Sequence, residues 1–169
     1  MGIPIVAGAL LIVRAEQIDY FIILLYEVLA IFGYIAAILD VKTKRIPNSL
    51  ILAMLFAWVS VMTPKLFIDT DAAIVLLMES ALGFAIGGGL FLLVYLVSRQ
   101  GLGGGDVKFM AAVGLYLRIS GILSAIFCVT VLASLVGLIL ILLKKIGRKD
   151  TIPLAPFLYA GILTAIFFL

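Results

Sequence analysis

Two aspartates stand where this sequence could do chemistry. Asp40 closes an apolar run that begins at Tyr20 and is interrupted only by Glu27, and Asp106 follows the glycine-rich turn Gly101-Leu102-Gly103-Gly104-Gly105. A carboxylate at membrane depth is costly, so each is a functional candidate by default. Two at the same depth on different helices form a more specific pattern. One can activate water as a general base while the other, protonated, polarises the group under attack, which is how paired acids hydrolyse a peptide bond. Glycines before Asp106 let the backbone turn tightly and let an extended ligand come close. The chain has no histidine and a single cysteine, Cys128. That excludes an intrachain disulfide and a Cys/His zinc site, so neither a metal nor a cofactor is expected.

The elements that must position these acids follow from composition. Of the 169 residues, 66% are hydrophobic and only 12% charged, against about 45–50% and about 25% in soluble domains. This is a lipid-embedded composition. A hydrocarbon core of about 30 Å takes roughly 20 helical residues to cross, and by that measure the expected spans are 20–39, 49–63, 72–97, 107–117, 119–143 and 152–169. The fourth would rise only about 16 Å as a helix, which is tolerated where it packs on protein or lines a wet cavity. The leading apolar stretch 2–13 is too short to span. It lacks a positive n-region and an A-x-A cleavage site, so it reads as an interfacial or partly inserted helix rather than a signal peptide. The expectation is an all-α membrane protein of six transmembrane helices with a short fourth span. It forms one domain over 1–169, with 1–19 interfacial and 20–169 as the core.

Nine of the twelve Lys and Arg residues fall in the segments 40–48, 98–108 and 144–151. The positive-inside rule makes those segments cytoplasmic, with both termini outside and both aspartates on the cytoplasmic side. Orientation and lipid headgroups account for the basic loops, so membrane lipids are expected partners and nucleic acid is not. Asn48 after Pro47 reads as the N-cap of the second span, and Asp106 reads as an N-cap compatible with catalysis. Asp40, near a helix C-terminus, opposes the macrodipole and is not there as a cap. The same argument makes Asp106 the resting base and Asp40 the resting acid. Lys108 either snorkels to the interface or steadies a carboxylate. Gly83 and Gly87 form a helix-packing face. Glu27 and Glu79, each about 10 Å deep from the outer side, either share a proton or reach Arg118 as structural glue. Such acids would also suit a small proton- or cation-coupled carrier, the alternative reading.

Three motifs carry a resemblance. Gly103-Gly104-Gly105-Asp106 fits a GxGD pattern continued by Val107-Lys108. Leu39-Asp40 leads through Lys42-Thr43-Lys44-Arg45 to Ile46-Pro47-Asn48. Ile152-Pro153-Leu154-Ala155-Pro156-Phe157 opens the last span. In this order, and over nearly the whole chain from residue 20, they make the sequence similar to the prepilin peptidase family of GxGD-type membrane aspartyl proteases. The resemblance implies Asp40 and Asp106 as the catalytic pair, with Gly103, Gly105, Lys108, Pro47, Asn48, Pro153 and Pro156 as motif support. It implies an endopeptidase in a prokaryotic cell membrane, its site facing the cytoplasm. Substrates would be type IV pilin-like or archaellin precursors, a short leader followed by a hydrophobic helix. Bacterial members usually carry an extra cytoplasmic segment with paired cysteines and methylate the new N-terminus. This chain has no such segment and no paired cysteines, so it resembles the compact archaeal prepilin or preflagellin type, and the expectation is an enzyme without methyltransferase activity. The signal-peptide-peptidase and presenilin group shares GxGD, but Leu39 before Asp40 and the late Pro-Leu-Ala-Pro depart from its pattern.

Overall fold

The computed structural model describes residues 20–98, 102–143 and 153–168, and among these the secondary structure is entirely helical. The elements are α1 (Tyr20–Thr43), α2 (Asn48–Ile68), α3 (Thr70–Val97), α4 (Gly104–Leu142) and α5 (Ala155–Phe168). The expected interfacial helix over 2–13 lies outside the described residues. Helices α1 to α4 are each long and apolar enough to cross a membrane, and α5 is a shorter apolar helix. Large apolar side chains point both ways: Leu29, Met54, Phe109 and Tyr116 are fully enclosed, while Phe56, Phe84 and Phe127 stand exposed. Helices apolar all round suit protein on one side and lipid on the other. The all-α membrane architecture expected from composition is the one observed. Instead of six separate spans, four helices among the described residues meet the length and hydropathy needed to cross, because 107–117 and 119–143 join into α4 and the last helix, α5, is shorter than a full span.

The ends of these helices have local causes. Helix α1 stops where Lys44 adopts a left-handed φ of 52°, its N–H donating to Asp40 O at 2.7 Å. This kind of stop is usually made by glycine. Pro47, extended at φ −71° and ψ 143°, is the N-cap of α2. Asn48 is therefore the first helical residue and not the cap expected from sequence. Asp69 alone separates α2 from α3, and its Oδ1 accepts the Ala72 N–H at 3.2 Å.

Helix α4 is broken at Arg118, where φ is 58° and ψ −170°. A methyl placed on Gly87 of α3 would lie 2.5 Å from Met110 O and 3.2 Å from Ile122 Cδ1. Twelve residues of straight helix would hold those two positions about 18 Å apart. The chain therefore doubles back at Arg118, and arms 104–117 and 119–142 both lie against α3. Gly83 backs onto the backbone of Gly114 and Arg118, so the Gly83/Gly87 face packs helices as expected. Trp58 Nε1 donates to Leu115 O at 3.2 Å and Tyr116 Oη to Met54 O at 2.6 Å, tying α2 alongside the first arm. Arg118 Nη1 donates to Glu79 Oε2 at 3.0 Å, and Nη2 to Tyr26 Oη at 3.0 Å. Of the two partnerships open to Glu79, the one with Arg118 is made. It clamps α1, α3 and the reversal together.

Candidate active site

Asp40 lies in the last turn of α1 and is only 5% exposed. Its Oδ2 accepts the backbone N–H of Ala155 at 2.9 Å. The late proline motif explains why that donor is available. The first N–H groups of a helix have no intrahelical partner. Pro156 has no N–H, and Phe157 N–H is turned back to Leu154 O at 3.0 Å. The Ala155 N–H is left to point outward, and Asp40 takes it. This corrects the expectation that Asp40 caps nothing: it ends its own helix but serves the start of α5. Side-chain direction across a tertiary contact was not readable from Asp40's place in α1.

Asp106 is the third residue of α4 and half-buried. Its Oδ2 accepts the Gly103 N–H at 3.2 Å, while its own N–H donates to Gly103 O at 3.1 Å. The side-chain bond is one half of a capping box, with Gly103 as N-cap and Asp106 at the third helical position; glycine has no side chain to return it, and the Asp106 N–H closes a backbone turn on Gly103 O instead. Asp106 is thus not the N-cap itself. Asp40 thus meets both the C-terminal end of its own helix and the N-terminal start of α5, two opposed influences, so the macrodipole argument no longer singles it out as the resting acid.

The glycines of the turn have separate tasks. A methyl on Gly103 would fall 2.9 Å from Asp106 Oδ2, and one on Gly105 would fall 3.1 Å from Ile46 O and 3.4 Å from Ile46 Cβ. Gly104 faces open space. Gly105 therefore lets the strap of residues 44–47, which leads away from Asp40, lie directly on the helix that carries Asp106. A second tie follows one turn on, where Lys108 Nζ donates to Asn48 Oδ1 at 3.1 Å. Lys108 is engaged by an amide. Pro47 lines the site beside Asn48, whereas Pro153 and Pro156 flank the Ala155 donor in sequence and are not part of the cavity wall.

Together these pieces enclose a cavity of about 800 Å³ whose wall includes Asp40, Asp106, the strap and the glycine turn. Of the residues singled out from sequence, Asp40, Asp106, Gly103, Gly105, Pro47 and Asn48 line one space. Sequence reasoning missed the Ala155 N–H and the Ile46 backbone. The first had a readable signal, since proline in a first turn marks which donors a helix start keeps. Among the described residues, no three His, Cys, Asp or Glu side chains gather as a metal centre would require.

Apolar helices that bring two aspartates from separate elements into one cavity define a helical membrane protein built around a carboxylate pair. The chain belongs to the type IV leader peptidase family, whose pattern matches residues 27–142, a stretch containing both aspartates, the strap and the glycine turn. It is similar to the prepilin leader peptidase/N-methyltransferase of Bacillus subtilis, 28% identical over 132 residues that cover 78% of this chain and 50% of that protein. The protein of the same name from Burkholderia pseudomallei is 31% identical over 151 residues, covering 83% and 46%. That of Legionella pneumophila is 29% identical over 147 residues, covering 85% and 50%. The chain thus spans about half the length of the curated relatives it matches. No solved structure matches it.

Proposed function

We propose that this protein is a membrane aspartyl endopeptidase that removes the leader from prepilin-like precursors, with Asp40 and Asp106 as its catalytic pair. The observation that carries the reading is the meeting of the two carboxylates in one cavity, each fixed by a backbone N–H, Ala155 for Asp40 and Gly103 for Asp106. Neighbouring carboxylates in a partly dehydrated site do not both ionise cheaply, so the pair works with one proton between them. The ionised member takes a proton from water, whose oxygen attacks the scissile carbonyl carbon. The protonated member gives its proton to the carbonyl oxygen. As the tetrahedral adduct collapses and the C–N bond breaks, the member that took water's proton passes it to the departing nitrogen and the other takes back a proton from the adduct's hydroxyl, leaving an amine, a carboxylic acid and the pair with its single proton.

The substrate class comes from kinship: the relatives are named prepilin leader peptidases. A short leader ahead of a hydrophobic helix suits a cavity at the ends of apolar helices, and pilin-like or archaellin precursors both have that form. Lys44 and Arg45 line the site, and Lys42 and Lys108 each lie two residues in sequence from one of its aspartates, a basic setting that supports a cytoplasmic orientation in the plasma membrane. We count six crossings, taking the two arms of α4 separately, in one membrane-embedded domain. The carrier alternative is disfavoured because Glu79, one of its acids, is bound to Arg118.

The test is cleavage itself. Purified protein in detergent should shorten a prepilin-like precursor, and Asp40→Asn and Asp106→Asn should each abolish the shortened product while expressing normally. Substantial activity in either variant would remove that aspartate from the mechanism. Failure of the wild type on every precursor in a broad panel would reject the peptidase reading.

A further inference from the structure

Asn48 has an unused capability. At the first helical position of α2 it makes no cap, since Pro47 holds that place and no side chain caps the helix. Its side chain is exposed and lines the cavity that holds Asp40 and Asp106. Its one bond among the described residues is the acceptance by Oδ1 of Lys108 Nζ at 3.1 Å. An ammonium is a donor only, so the amide atom facing Lys108 must be the oxygen. The Nδ2 group, with two N–H donors, is thereby turned away from Lys108 and has no protein acceptor among the described residues. A positive charge on the amide oxygen also draws electron density from the nitrogen and strengthens those donors.

A peptide entering this cavity gives up water from its carbonyls and needs donors in exchange. The catalytic carboxylates cannot supply them when ionised. We propose that Asn48 is a substrate-binding residue, its side-chain amide donating to a backbone carbonyl of the bound precursor, and that Lys108 is the positioning residue that holds the amide that way round. This deepens the peptidase reading of the site and rests on it.

The experiment compares four proteins on one prepilin-like precursor, after the wild type has been shown to cleave it. Asn48→Asp keeps the shape and the acceptor for Lys108 but removes both donors. Asn48→Leu removes donor and acceptor without adding charge. Lys108→Met frees the amide but leaves its donors. The expected result is a loss in kcat/KM of about tenfold or more for Asn48→Asp and for Asn48→Leu, and a smaller loss of about threefold for Lys108→Met. The double variant Lys108→Met/Asn48→Leu should be no worse than Asn48→Leu alone. A purely structural tie gives the opposite pattern: Asn48→Asp at the wild-type rate, with Lys108→Met and Asn48→Leu equally impaired. That pattern overturns the proposal and leaves the peptidase reading standing. A wild type that cleaves nothing takes down both. Asn48→Asp preserves the link to Lys108, so it is decisive even if Asn48→Leu fails to fold.

Discussion

Alanine placed in turn at Gly103, Gly104 and Gly105 should give three different outcomes, because the three methyls would meet three different things. At Gly104 the new carbon meets nothing within 4 Å, and none of the described glycines has a positive φ. The substitution only narrows the unfolded ensemble, for a gain of about 0.4–1 kcal/mol in stability and no loss of rate. At Gly105 the methyl would sit 3.1 Å from Ile46 O, so the strap must retreat by a few tenths of an ångström. Ile46 is buried and lies between the turn at Lys44 and the fixed Pro47, so the displacement passes to the cavity wall between the two acids. If misplacement by about 1 Å costs on the order of 100-fold in rate, this shift costs about 4- to 10-fold. At Gly103 the methyl would lie 2.9 Å from Asp106 Oδ2. The carboxylate can swing away only by giving up the Gly103 N–H, a hydrogen bond worth about 1.5–3 kcal/mol if the carboxylate is charged. Because a reacting group itself moves, the loss is about 10- to 100-fold. The assay is kcat/KM for precursor cleavage, with thermal unfolding in detergent measured alongside. Gly104→Ala as damaging as Gly103→Ala, or Gly105→Ala at the wild-type rate, would refute this account of the turn.

Two further outcomes are expected. Glu79→Gln should destabilise the fold by about 1 kcal/mol, as the ion pair to Arg118 becomes a weaker bond to a neutral amide oxygen, read as a lower unfolding temperature in detergent, while activity per folded molecule stays near wild type; an unchanged unfolding temperature would show that the charge in the clamp stabilises nothing. Single cysteines at Lys44 and Gly104 should react with a membrane-impermeant thiol reagent from the same side of sealed vesicles, and a cysteine at Asp71 from the other. Opposite sides for Lys44 and Gly104 would forbid the meeting of the two acids.

The acids themselves were legible because a carboxylate ending an apolar run and another after a glycine turn are local features. The three motifs around them carried the family. Helices were legible to within a turn where a chemical stop was nearby, as at Val97, and less so where the stop was conformational. Nothing in Lys44 announces a left-handed φ, so α1 continues to Thr43 past the expected end at Leu39. The roles assigned to Asn48 and Asp40 needed tertiary knowledge. Each was judged against its own helix, yet Asn48 bonds Lys108 and Asp40 bonds Ala155 across 60 and 115 residues of sequence. Glu79 with Arg118 was within reach because both fall at the same depth, and one of the two partnerships considered was the correct one.

The bond between Asp40 and Ala155 also bears on the number of crossings. A straight α4 of 39 residues would run about 58 Å, roughly twice the thickness of a hydrocarbon core. It would deliver the chain to the face opposite Asp106. The start of α5 would then lie far from the end of α1, and the Ala155 N–H could not approach Asp40 to 2.9 Å. With the reversal at Arg118, the second arm returns the chain to the face it left. The strained backbone of Arg118, at a φ and ψ that favour glycine, is thus a condition for the site: it brings the donor that orients one aspartate back to the end of the bundle where the other aspartate began. Its guanidinium, bound to Glu79 and Tyr26, helps to hold that conformation. The same parity supports the six-crossing topology we propose. An even number of passages must separate Asp106 from Ala155, and the two arms of α4 supply two.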